Sequence, residues 1–219
     1  MTEDNIFQRF SGKPDPHSGT PLERFYASMN IGFHEWHEGI GYHLDVLKEL
    51  SSDEIKTVEK LLISRKDKDW RDVEALAALR TEEAIQALKN CLESPNLECR
   101  LFAVRYLKEM GFEDHVEDVV VRTLPETGIG EGMTYALNLA RDYPTDRVRK
   151  AVLCCALYGN DSLRVHCAAL ALLLHGLART EAKSYQKIVY EFNNKDLNAR
   201  MNSFKRLCQI IGVAPEDVL

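Results

Sequence analysis

The stretch NLECRLFAVRYLKEMG, residues 96–111, decides the fold, because the chain repeats its pattern twice further on. The later copies are NDSLRVHCAALALLLHG, which begins at residue 160, and DLNARMNSFKRLCQIIG, which begins at residue 196. Each copy starts with Asn or Asp, has an Arg four residues later, continues with apolar residues at helical spacing and ends at Gly. Asn and Asp can accept hydrogen bonds from the free N–H groups of a first helical turn. Gly adopts the left-handed conformation that ends a helix. Each copy is therefore predicted to be one capped helix, whose Arg can bind a cap or a carbonyl of a neighbouring helix pair.

The repeats follow a period that is typical of stacked helix pairs. An earlier copy, KDKDWRDVEALAAL, places Asp67 as the cap and Arg71 as the arginine. The midpoint between Arg100 and Arg164 is residue 132, where the glycine-rich segment PETGIGEG replaces the cap and the Arg. Positions 71, 100, 132, 164 and 200 are separated by 29, 32, 32 and 36 residues. Periods of this length indicate a helical-hairpin repeat.

Shorter amphipathic segments precede these helices and complete the pairs. SSDEIKTVEKLLISR begins with a capping box of Ser51 and Glu54, and four comparable segments follow it. No segment shows the alternation of a strand. The sequence thus predicts an all-α fold, a right-handed α-solenoid of about five helical hairpins over residues 51–219. Residues 1–21 are predicted to be an extended lead-in, and residues 22–50 a helical cap.

The repeats also resemble a known family. Residues from about 51 to 212 resemble HEAT-like repeats, whose second helix starts with Asp, then Val-Arg, then alanine-rich apolar positions. LRVHCAALAL and LECRLFAVRYL carry this resemblance, whereas the third repeat departs from it by lacking the Arg. FHEWHEGIGYHLDVLKELS, followed by DWRDVEALAAL, is similar to small bacterial HEAT-like proteins that occur as immunity proteins beside polymorphic toxins. The resemblance implies a non-enzymatic protein that binds and neutralises a toxin.

Composition and charge restrict the location and the partner. The net charge is −6, but the first 140 residues carry −10 and the rest +4, so an acidic surface could attract a basic protein. The acidic start of the chain and the absence of a long apolar run predict a cytoplasmic protein without a signal peptide or membrane span. The six cysteines lack metal-ligand spacing and are expected to be reduced and packed in the core.

The segment HEWHE offers two interpretations. His34 and His37 would share one helical face and Glu35 and Glu38 another, which suggests a metal site. HEAT-like solenoids include an iron enzyme, deoxyhypusine hydroxylase, but its His-Glu pairs lie on different repeats, whereas both pairs here fall within five residues. HEWHE also lacks the HExxH spacing of zinc proteases. A structural cap, part of whose surface contacts a partner, is therefore preferred, and neither a metal nor a cofactor is predicted.

The sequence disfavours both phosphate binding and nucleic-acid binding. GIGEG lacks the strand and the Lys of a phosphate loop, so it favours a flexible bend, and a protruding loop can carry recognition. Some HEAT-like folds are DNA glycosylases with a basic face, but the overall acidity here argues against nucleic-acid binding. Basic residues that would support it are Arg147, Arg149, Lys150, Arg200, Lys205 and Arg206.

The predicted site is therefore a protein-docking surface without catalytic residues. Aromatic residues were selected as anchors, because exposed Trp dominates interfaces, and acidic residues as steering charges. These are Trp36, Tyr42 and Trp70 as anchors and Glu113, Glu117 and Asp118 as steering charges.

Overall fold

The computed structural model describes residues 18–177 and 182–219, and the helical class predicted from sequence is confirmed for them. No described residue belongs to a β-strand, and only isolated bridges occur, from Gly128 to Glu131 and Gly132. The α-helices are α1 Pro21–Ser28, α2 Phe33–His37, α3 Ser52–Arg65, α4 Trp70–Leu79, α5 Glu82–Cys91, α6 Leu97–Glu109, α7 Val116–Thr123, α8 Met133–Asp142, α9 Asp146–Tyr158, α10 Asp161–Leu174, α11 Ala182–Glu191 and α12 Leu197–Ile211. Short 3-10 helices cover Leu44–Glu49, Leu124–Glu126 and Pro215–Asp217.

The chain divides into two compact units, with the division between Leu107 and Lys108. In the first unit α4 packs against both α3 and α5. The 3-10 helix Leu44–Glu49 packs against α1 and α4, so the segment before α3 is joined to the first helix pair. Of the predicted extended lead-in, residues 1–17 lie outside the described residues.

The second unit is built around α9 and α10, which pack along each other. On one side α7 packs on α9 and α8 packs on α10, as a regular succession of pairs would place them. On the other side α11 packs on α10, and α12 packs on α9 and α10. The last pair is thus arranged differently, because its first helix, α11, packs on α10, whereas α7, the first helix of the α7–α8 pair, packs on α9.

The predicted caps are confirmed, with one exception. The side chain of Asn160 accepts a hydrogen bond from the N–H of Leu163, and Asp196 caps α12 in the same way. Asn96 accepts bonds from two N–H groups at the start of α6. The prediction of Asp67 as the cap of α4 is wrong, because Asp69 caps that helix. Asp67 precedes that cap by two residues, and its carboxylate pairs with Lys66 instead.

The arginine of the repeated pattern binds backbone carbonyls, as the sequence predicts. Arg164 donates from Nε to the carbonyl of Phe192, at the end of α11, at 2.9 Å. Arg200 donates from Nε to the carbonyl of Leu157, in α9, at 3.1 Å. The last carbonyls of a helix have no partner within it. The arginines therefore join second helices to the ends of neighbouring helices.

The sequence also predicts reduced, packed cysteines and no membrane-spanning segment. All six cysteines are free, and five of them are buried. Among the described residues no helix has both the length and the apolar character that crossing a membrane requires.

Candidate protein-docking site

The site begins with a short exposed turn before the first helix pair, residues 32–41, called here the aromatic turn. Its single helical turn, α2, starts after Gly32, whose N–H donates to the carboxylate of Glu35 at 3.0 Å. The helical turn is followed by Gly39, which has a φ of +64°, a conformation that favours glycine. The N–H of Ile40 then donates to the carbonyl of Glu35 at 2.9 Å, so the chain folds back on itself.

Large apolar side chains of the aromatic turn face solvent. Phe33 is 78 % exposed and Trp36 is 65 % exposed, and their ring centroids lie 6.1 Å apart. Ile40 is 40 % exposed, and the imidazole of His37 lies 5.7 Å from the Phe33 ring. Aromatic residues dominate the energetics of cores and interfaces, so an exposed pair makes this turn a candidate contact surface.

The buried side chain of Arg71 binds the backbone of the aromatic turn. Arg71, in the first turn of α4, is only 2 % exposed. Its Nε donates to the carbonyl of Ile40 at 2.6 Å, and its Nη2 donates to the carbonyl of Glu35 at 3.3 Å. Its Nη1 donates to both carboxylate oxygens of Asp69 at 3.2 Å. One guanidinium therefore joins two carbonyls of the turn, those of Glu35 and Ile40, to the start of α4.

A second buried polar cluster lies next to this arginine. Oδ1 of Asp72 accepts hydrogen bonds from the hydroxyl of Tyr42 at 3.1 Å and from Nε of Arg65 at 3.2 Å. The other oxygen, Oδ2, is buried without a partner. The side chain of Asp72 is completely buried, whereas that of Arg65 is partly exposed. The cluster connects the segment before α3 to both helices of the first pair.

Burial dominates the electrostatics of this cluster. Desolvation raises the pKa of Asp72 to about 6, although the guanidinium of Arg65 acts in the opposite direction. Desolvation and the nearby carboxylates of Asp72 and Asp69 also raise the pKa of the Tyr42 hydroxyl. Tyr42 therefore stays protonated and donates its hydrogen bond throughout the physiological range.

The three predicted anchors lie in different environments. Trp36 is exposed on the aromatic turn. Tyr42 is buried and packs edge-on against Phe25 with the centroids 6.1 Å apart, so its ring holds the first unit together and does not face a partner. Trp70 is half-buried and stacks on Phe102 at 4.6 Å. Its other contact is the guanidinium of Arg71, 4.5 Å from the ring centroid, so most of its surface is used within the fold.

The predicted steering charges lie in the second unit, and two of them are paired. Nη1 of Arg147 donates to a carboxylate oxygen of Glu117 and to one of Asp118, both at 2.7 Å. A hydrogen bond from Thr145 and the pairing with Arg147 lower the pKa of Glu117. Glu113 is exposed. Because one cation is shared between two carboxylates, this cluster offers less negative charge than the sequence suggests.

The residues of the alternative chemistries are arranged as follows. Within residues 18–177 and 182–219, no group of three or more His, Cys, Asp or Glu side chains could hold a metal ion. Nδ1 of His37 lies 2.9 Å from the carboxylate of its neighbour Glu38. The four arginines named above as possible nucleic-acid contacts all have partners inside the chain. Arg147 binds two carboxylates, Arg149 and Arg200 bind carbonyls, and Arg206 binds Glu191.

Sequence reasoning missed three functional features of this region: the exposure of Phe33, the role of Arg71 and the buried carboxylate of Asp72. Phe33 precedes Trp36 by three residues, a spacing that places both on one helical face. That signal was present in the sequence. The contacts of Arg71 join residues more than thirty positions apart, and no local pattern indicates them.

Together these features define an all-helical protein that presents a preformed aromatic turn to solvent. Comparisons of the chain with protein-family models, curated proteins and solved structures find no match.

Proposed function

We propose that this is a non-enzymatic protein-binding protein and that the aromatic turn is its docking element. The observation that carries the proposal is the exposed pair of Phe33 and Trp36 on a turn whose carbonyls at residues 35 and 40 are bound by Arg71. The resemblance of the sequence to HEAT-like immunity proteins extends the proposal to a bacterial toxin as the partner.

The aromatic pair supplies enough apolar surface to hold a partner. Covering the exposed parts of both rings would bury roughly 300 Å², about 7 kcal/mol at 25 cal/mol per Å² before the costs of association. Those costs absorb much of the total, so only a few residues of an interface show a large effect when truncated. Phe33 and Trp36 are therefore expected to be such residues.

Preorganisation of the turn increases the benefit of these contacts. A free loop loses conformational entropy when it binds, whereas a turn already held in one conformation loses little. Arg71 satisfies the carbonyls of Glu35 and Ile40 from inside the first unit. The exposed side of the turn is not needed to bind these carbonyls, so another protein can cover its aromatic rings.

The charges around the turn favour a basic partner. Residues 25–47 contain Glu35, Glu38 and Asp45 but neither Lys nor Arg, whereas Lys48 pairs with Asp45 at 3.1 Å. Glu38 is exposed. Carboxylates beside an apolar contact attract a basic surface and repel nucleic acid or an anionic membrane. A basic toxin domain fits this combination.

We further propose that the helix pairs are HEAT-like repeats stacked as a right-handed solenoid. Hydrogen bonds between successive pairs support this within each unit. Nδ2 of Asn96 donates to the carbonyl of Lys68 at 3.2 Å, and Nδ2 of Asn160 donates to the carbonyl of Thr127 at 2.7 Å. In both cases the residue that caps a second helix also binds the segment that links the two helices of the preceding pair.

The test is co-expression with the product of the neighbouring gene in a bacterial host. The wild-type protein should restore growth and bind that product directly. Trp36→Ala and Phe33→Ala should each raise the Kd by about 30-fold or more, as expected for a loss of about 2 kcal/mol at an interface. Tyr158→Ala, which removes an exposed aromatic ring from the second unit, is the matched control and should bind normally.

The outcomes separate the two parts of the proposal. If the wild-type protein neither binds the product nor protects the host, toxin neutralisation is wrong. If it binds and Trp36→Ala binds equally well, the aromatic turn is not the docking element. Circular dichroism of each variant shows that a loss of binding is not a loss of folding.

A further inference from the structure

The most exposed large apolar side chain among the described residues of the second unit lies at the glycine-rich segment that interrupts the repeat. The N–H of Glu131 donates to the carbonyl of Gly128 at 3.0 Å, which closes a four-residue turn. Gly130, the third residue of this turn, has a φ of +76°. A positive φ at this position is typical of a type II turn and favours glycine. Ile129 occupies the second position and is 76 % exposed.

The base of this turn is fixed in the fold. Thr127 is completely buried, and its hydroxyl donates to the carbonyl of Leu124 at 2.8 Å. The carbonyl of Thr127 accepts a bond from Nδ2 of Asn160, the cap of α10, at 2.7 Å. The side before Ile129 is therefore held by two buried contacts, and the side after it continues directly into α8. The turn presents Ile129 in a defined position.

Because Ile129 is mostly exposed, its side chain contributes little to packing inside the fold. Its β-branched side chain has few rotamers, so it loses little entropy when it enters a pocket. Glu126 and Glu131 are exposed on either side of it. Arg122 precedes this segment, and residues 123–140 contain Glu126 and Glu131 but neither Lys nor Arg, so the sequence around Ile129 carries more negative than positive charge.

We infer that the turn at residues 128–131 is a second docking element, which places Ile129 in an apolar pocket rimmed by basic groups on the protein partner. The inference rests on the proposed function, because it assigns a second contact to the same partner. The flanking carboxylates carry the choice of partner, since they attract a basic protein and repel phosphate groups of nucleic acid or lipid.

The experiment measures the Kd of full-length variants for the product of the neighbouring gene. Ile129→Ser should raise the Kd at least about tenfold, because an aliphatic side chain loses its pocket. Ile210→Ser, at a less exposed isoleucine on α12, is the matched control and should leave the Kd unchanged. Glu131→Lys should weaken binding most at low salt, where charge attraction is least screened.

A site-specific readout completes the test. A photo-crosslinking amino acid at position 129 should form an adduct with the partner, and the same group at position 210 should not. If Ile129→Ser binds as tightly as wild type, or if both serine variants lose affinity equally, the inference is overturned while the proposed function stands. If the wild-type protein does not bind at all, the proposed function fails and this inference fails with it.

Discussion

Replacing Arg71 by Met tests whether one buried guanidinium holds the aromatic turn. Met keeps an unbranched apolar stem of similar length but removes all side-chain hydrogen-bond donors. The carbonyls of Glu35 and Ile40 and the carboxylate of Asp69 would then lose their common partner. Asp69 would keep the N–H of residue 71, which donates to it at 2.9 Å, so the cap of α4 survives.

The expected cost follows from the environment of each lost bond. Removing one partner of a buried ion pair costs about 3–5 kcal/mol. Here the side chain of Asp69 is 30 % exposed, so water can hydrate part of it after the change. Ile40 also lies near solvent, and its carbonyl can find water. We therefore expect the free energy of unfolding of the first unit to fall by about 2–4 kcal/mol.

Two measurements separate a global from a local effect. Urea denaturation followed by circular dichroism gives the change in unfolding free energy. Limited digestion with chymotrypsin, which cuts after aromatic residues, reports on the turn itself, and mass spectrometry locates the cuts. The Arg71→Met protein should be cleaved after Phe33 and Trp36 much faster than wild type.

Arg80→Met is the matched control, because Arg80 is exposed at the end of α4 and the same atoms are removed. It should change neither the urea midpoint nor the cleavage at the aromatic turn. The reasoning is refuted if Arg71→Met unfolds and is digested like Arg80→Met. That result would mean that the turn keeps its conformation without the buried guanidinium.

Three further predictions concern single contacts. Because burial raises the pKa of Asp72 to about 6, the folded form holds this proton more tightly than the unfolded chain. This contribution to stability is full below about pH 4 and is lost as the pH rises through 6. Between pH 5 and pH 7 the free energy of unfolding of wild type, measured by urea titration, should therefore fall by about 1 kcal/mol more than that of Asp72→Asn. An equal dependence of the two unfolding free energies on pH would contradict this. Asn160→Ala removes the cap of α10 and the bond to the carbonyl of Thr127, so it should lower the free energy of unfolding by about 1–2 kcal/mol. The control Asn138→Ala, at an exposed position on α8, should leave the free energy of unfolding unchanged. Acrylamide should quench the fluorescence of Trp36 in a Trp70→Phe variant more strongly than that of Trp70 in a Trp36→Phe variant; the reverse order would mean that the aromatic turn is covered.

The candidate site could be predicted only in part. The sequence predicts Trp36 as an anchor, and its ring is exposed in the structure. Tyr42 has similar neighbours and is nevertheless buried, because its hydroxyl reaches Asp72, thirty residues further on. A local pattern shows that a ring is amphipathic, but it does not show which side of the chain the next helix pair will cover.

The paired charges show the same limit. Counting residues gives the acidity of Glu117 and Asp118, and Arg147 lies about thirty positions later in a segment counted as basic. In the structure the three side chains meet at 2.7 Å, since α7 and α9 pack against each other. The charge that a partner would meet is therefore set by helix packing and differs from the sum along the chain.

What the sequence alone determined is the helical class and most of the helix ends, with the cap of α4 as an exception. Capping bonds and glycine stops act within four or five residues, so Asn96, Asn160 and Gly212 could be assigned from their neighbours. Only the tertiary structure decided which arginine holds which carbonyl and which aromatic ring faces water. Those outcomes depend on helices separated by tens of residues, whose relative placement is fixed by packing and leaves no local signal in the chain.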